Sequence, residues 1–161
     1  MRYSHATAIA LTMLIAVSAQ AQQTDPHKLK DVLTGDSKGS AASNPQCKLF
    51  TPAEVATYVG VPVGPGENAA GGSGCLWYDA NDEASVTVTV VPPNYFPEPK
   101  LVKGFKRLPD VGSRGWVAPD DGWSAGALVQ EVAIVVGISG KTATEPSAVR
   151  LLQETIKRRT K

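Results

Sequence analysis

The sequence predicts an α+β domain: an antiparallel sheet of about five strands, with two or three helices packed against it and one disulfide. Three observations point there. Strand-sized segments follow one another with turns between them and no β-α-β rhythm, which favours antiparallel pairing. Helix signals flank that series, one before it and one at the C-terminal end. The chain has only two cysteines, Cys47 just before the first helix and Cys75 at the opening of the first strand.

The N-terminal residues read as a secretory signal over 1–21. Arg2 supplies a positive start, residues 8–17 (AIALTMLIAV) form a short apolar run, and Ala19-Gln20-Ala21 offers small residues where a signal peptidase cuts. The run is about half of the roughly 20 apolar residues a membrane span needs. The residue after the expected cut is Gln22, where lipoprotein processing needs a cysteine. The expected mature chain is therefore exported, to the periplasm or beyond. Removing 1–21 takes away one base and no acid, which leaves fifteen of each sign. Such a balance offers no global field to draw the protein onto nucleic acid or an anionic membrane. Residues 22–45 are polar and rich in glycine and serine, as in TGDSKGSAASNP, and read as a flexible tether. A single domain is expected over 46–160.

Export favours pairing of Cys47 with Cys75, because the compartment is oxidising. Closing a loop of about 29 residues is worth roughly 3–4 kcal/mol in the loop-entropy model. A metal or redox site would need further cysteine or histidine ligands, or a C-x-x-C pair, and neither pattern is present.

The elements follow in order. Thr51 is suited to cap a helix, Pro52 to open it and Glu54 to complete a capping box. Val55, Tyr58 and Val59 give that helix an inward face, and Gly60 fits its end. Two turns of helix are too short to stand alone, so it must be packed and clipped in place. Residues 61–74 (VPVGPGENAAGGSG) read as a surface loop, since no Gly-Lys-Ser/Thr follows to make a phosphate cradle. Strands are expected at 74–79 and 85–91, the latter alternating Val86, Val88 and Val90 with Thr87 and Thr89. Pro92-Pro93 ends the hairpin. A short helix is expected over 100–107, with Leu101 and Phe105 inward and Lys103, Lys106 and Arg107 outward. Strands follow at 115–118, 123–128 and 132–138, the last apolar on both faces as a central strand would be. A closing helix spans 146–159, with Val149, Leu152 and Ile156 as its stripe and Lys157, Arg158 and Arg159 at the negative end of its dipole.

The frame Cys47-x-Leu49-Phe50-Thr51-Pro52-Ala53-Glu54-Val55, then Gly60, Cys75-x-Trp77 and the Val/Thr strand, resembles a family of small exported bacterial domains. That family is known only as a domain of unknown function, and many of its members are lipoproteins. Val111-Gly112-Ser113-Arg114-Gly115-Trp116 is similar, in degraded form, to the family's Gly-Leu-Gly-Asp-x-Ala turn. The resemblance covers roughly 47–159 and implies the Cys47–Cys75 bridge and an α+β sheet. It implies no catalytic residues, and this chain departs from it in lacking the lipoprotein cysteine.

Catalytic patterns are sparse. His5 belongs to the signal and His27 to the tether, which removes histidine-based nucleophile systems and the usual zinc or copper ligands from the domain. Asp79, Asp82 and Glu83, and Asp110, Asp120 and Asp121, fall in turns, where aspartate serves the backbone; a weak cation site would need them to converge. Trp77 follows the bridged cysteine and is expected in the core. Trp116, Trp123, Tyr95 and Phe96 lie among Pro, Asp and Gly, either as a binding surface or as plugs for the ends of the sheet. Lys100, Lys103, Lys106 and Arg107 form a basic stripe, either a solvated face or a site for an anionic partner.

The expectation is a non-enzymatic exported domain, without cofactor or metal. It would bind an envelope protein or component through Tyr95, Phe96, Trp116, Trp123, Lys103 and Arg107. The alternative is a binder of small molecules or carbohydrate that stacks them on Trp116 and Trp123. A carboxylate enzyme ranks third.

Overall fold

The computed structural model describes residues 41–160; the expected signal 1–21 and residues 22–40 of the expected tether lie outside them. Among the described residues, two α-helices and seven strands make up the fold. They are α1 (Pro52–Val59), β1 (Glu67–Ala69), β2 (Gly74–Tyr78), β3 (Ser85–Val91), β4 (Lys106–Arg107), β5 (Ser113–Pro119), β6 (Trp123–Val129), β7 (Val132–Ser139) and α2 (Glu145–Arg159). All pairings are antiparallel, in the order β1-β2-β3-β7-β6-β5-β4, so the apolar strand β7 is central as expected.

The sheet has seven strands rather than about five, and both additions are short edge strands. β1 forms inside the expected loop 61–74, where propensity is poor. Its Asn68 is buried and accepts a hydrogen bond from Asn44 Nδ2 at 2.8 Å, which in turn reaches the Gly74 carbonyl at 2.7 Å. Tertiary pairing overrides local preference here. The same contacts move the start of the domain: Asn44 and Gln46 are buried, so the expected boundary at 45/46 falls within folded structure. The expected helix over 100–107 is absent. Pro97 and Pro99 precede it, Gly104 takes φ +94°, and Lys106 and Arg107 pair instead with Val117 and Trp116 as β4.

Both helices pack on one face of the sheet, over Val86, Val88, Val117, Ala125, Ile134, Val136 and Ile138. The capping box at Thr51 and Glu54 forms as the sequence indicates, and Gly60 ends α1 at φ +72°. Cys47 and Cys75 are joined, with Cα atoms 5.1 Å apart, which clips the segment before α1 to β2. Trp77 is fully buried and meets the edge of Phe50 at 6.5 Å. Arg158, near the end of α2, binds Glu54 of α1 at 2.8 Å, binds Glu154 at 2.9 Å and lies over the Phe50 ring at 4.3 Å. One guanidinium thus ties both helices and the chain ahead of α1.

The opposite face of the sheet carries Thr87, Thr89, Val135 and Gly137, all only half-buried. At its β5 end it is covered by the segment that links β3 to β4.

Candidate functional site

That linking segment, residues 92–105, is a strap laid over Trp116. Alternation along β5 sends Val117 into the helix-side core and Trp116 to the other face. There the indole crosses Gly126, its register partner on β6: a Cβ at Gly126 would stand 2.9 Å from the ring. The missing side chain is what seats the tryptophan. Phe96 and Phe105 close over it, with ring centroids 6.5 and 6.3 Å from the indole. Trp116 is left 2 % exposed, and its Nε1 hydrogen finds no acceptor among the described residues.

An ionic latch holds the strap. Glu98, set between Pro97 and Pro99, has a side chain only 5 % exposed, with three cations around it. Arg114 Nε donates to Oε1 at 2.7 Å, Arg107 spans both oxygens at 3.0 and 3.3 Å, and Lys100 Nζ lies 2.8 Å away. Hydrogen bonds from Arg114, then Arg107 and Lys100, hold the Glu98 carboxyl far below its ordinary range. The two arginines also cover the flanking rings, Arg107 over Phe105 and Arg114 over Phe96, each at 5.3 Å.

A β-bulge aims Arg114. The register slips between Ser113 and Trp116, and Arg114 itself sits at φ +57°. Gly115 makes the bulge feasible, because a Cβ there would fall 2.3 and 2.5 Å from the carbonyls of Val111 and Leu108. The segment that is similar to a Gly-Leu-Gly-Asp-x-Ala turn therefore serves here as the mount for the latch arginine.

The expected surface residues separate into two groups. Phe96, Arg107 and Trp116 are brought together, but as a closed packing unit rather than an open surface. Of the two roles open to Trp116, binding surface or plug, the structure shows the plug: it is buried between Gly126 and the rings of Phe96 and Phe105. Trp123 is half-buried against the helix-side core, on the opposite face of the sheet, so the two tryptophans form no common stacking platform. Tyr95 and Lys103 do face solvent. Leu101, expected inward on a helix, is wholly exposed at 102 %, and Val102 beside it is 37 % exposed. Glu98, Arg114, Leu101 and Val102 are the participants that sequence reasoning missed. A glutamate between two prolines was the available signal, and nothing local links it to Arg114 sixteen residues on.

Catalytic arrangements are thin. Among the described residues, no group of three or more His, Cys, Asp or Glu side chains is placed to hold a metal ion. Asp79 caps its own hairpin, accepting from the Ala84 N–H at 2.8 Å, and Glu83 pairs with Lys141 at 3.2 Å. Each carboxylate whose titration is displaced is displaced downward: Glu54, Glu98 and Glu154 by cations, Asp79 by backbone N–H groups. A shallow groove of about 370 Å³ between α1 and α2 is lined by groups already paired, including Glu54, Glu154 and Arg158. No family model, curated protein or solved structure matches the chain.

Proposed function

We propose that this is an exported, non-enzymatic binding domain whose strap is its contact surface for an envelope protein or component. One observation carries the reading. Among the described residues, the exposed large apolar side chains are Tyr95, Leu101 and Val102, and all three sit on this one strap. Single apolar residues on a surface are ordinary, but their concentration on one latched segment is what binding surfaces look like. The Cys47–Cys75 bridge supports a setting outside the reducing cytoplasm.

The strap divides its labour in this reading. Phe96, Phe105 and Glu98 face the domain and fix the segment, while Tyr95, Leu101, Val102 and Lys103 face outward and make contact. Changing Tyr95→Ser, Leu101→Ser and Lys103→Glu together removes only outward groups. The thermal midpoint is expected to stay within about 3 °C of wild type. Retention of the protein in the washed envelope fraction is expected to fall. Retention equal to wild type, with fold intact, sinks the proposal.

A further inference from the structure

We infer that the solvent-facing side of the strap, its tip, docks on an anionic lipid surface through Tyr95, Leu101 and Val102, an inference that rests on the strap being the contact surface. The tip combines two features. Its apolar groups stand clear of the protein, Leu101 at 102 % exposure and Tyr95 at 69 %. Its charge is positive, because Lys100 and Lys103 bracket Leu101-Val102 and Arg107 and Arg114 lie behind them. Three of these cations share the single carboxylate of Glu98, which leaves a surplus of two charges there. Lys103 adds another, with no ion pair among the described residues. Pro119 packs close to Gly104, so the acids Asp120 and Asp121 that follow it bound the basic side of the strap there.

The shape favours a bilayer over a protein. A protein interface needs a broad complementary patch, about 800 Å² on each side. Here the exposed large apolar side chains are three among the described residues, one on the turn at 92–95 and two on the turn at 99–102. A bilayer takes projecting apolar chains without shape matching, accepts tyrosine at headgroup depth and attracts lysine to anionic headgroups. The mount adds to this. Four prolines, Pro92, Pro93, Pro97 and Pro99, the Glu98 latch and the rings on Trp116 pre-order the tip, so docking loses little conformational freedom.

Vesicle co-sedimentation tests this, using the exported protein and variants that share its N terminus, so that any contribution of that region cancels. The probes are vesicles of equal parts phosphatidylglycerol and phosphatidylcholine, and vesicles of phosphatidylcholine alone, at about 1 mM lipid. Wild type is expected to sediment with the anionic vesicles. That fraction should drop between about 0.05 and about 0.5 M salt, and binding to phosphatidylcholine alone should be much weaker. Leu101→Glu is expected to lower the partition coefficient on the order of tenfold. Lys103→Glu should lower it on anionic vesicles only. Absence of wild-type binding to the anionic vesicles at low salt overturns the inference, as does equal partition of wild type and Leu101→Glu. If vesicles fail while residue 101 crosslinks to one envelope protein in cells, the lipid inference falls and the contact-surface reading stands. If both fail, both fall.

Discussion

Trp116 shows how much a single residue can depend on its neighbours. Its ring fills the space that Gly126 leaves and supports Phe96 and Phe105, while its N–H is buried with no acceptor among the described residues. Two substitutions separate these effects. Trp116→Ala removes the floor of the strap and is expected to cost about 3–5 kcal/mol. Trp116→Phe keeps a ring and removes the orphaned donor, whose burial costs about 1–3 kcal/mol, so the two changes should nearly cancel. Chemical denaturation of both variants checks this, and comparable losses in the two would show that the N–H is not a liability. At this scale the sequence was legible where chemistry is local: the caps at Thr51 and Glu54, the pairing of the only two cysteines and the burial of Trp77. It was not legible where a residue's role depends on a distant partner. Trp116 reads as a loop aromatic until Gly126 is known to lie opposite it.

At the scale of elements, strands and helices with strong periodicity were readable, and the strap was not. Residues 85–91 and 132–138 alternate or run apolar over a full strand, and α2 shows an apolar stripe, although its buried face is Ala148, Leu151, Leu152 and Thr155, with the expected Val149 and Ile156 half-buried beside it. Residues 100–107 carry a helical spacing of leucine, phenylalanine and lysine, but Gly104, the flanking prolines and the pull of Glu98 on Arg107 favour an extended latch. The contact between helices has a pH signature. The Arg158 guanidinium and then the Thr51 N–H hold Glu54 down to about 2, against an ordinary value of 4.5. A folded-state value below the unfolded one gives stability that is full above about 4.5 and is lost as pH falls toward about 2. Glu54→Gln lacks that contribution. The gap in thermal midpoint between wild type and Glu54→Gln should therefore be widest above pH 4.5 and close progressively on acidification below it. A gap that is constant down to pH 2 would mean that the carboxylate does not carry the tie.

For the whole molecule, the two faces of the sheet carry different tasks. One holds the core, the two helices and the disulfide, and supplies stability. The other is largely half-buried and carries a strap that is latched inward by charge and aromatic packing yet leaves its own apolar tip in solvent. The expected class of fold came through from the strand series, while the two edge strands came from pairings that no local pattern announces. On the proposal above, the strap's outer side is where this protein meets its partner. The most direct test is to place a photoactivatable amino acid at position 101 and, as a control on the half-buried sheet face, at position 87, then irradiate intact cells. Adducts, to lipid or to protein, are expected from position 101 and few from position 87. Adducts from position 87 with none from position 101 would contradict that proposal and move the contact surface to the open sheet.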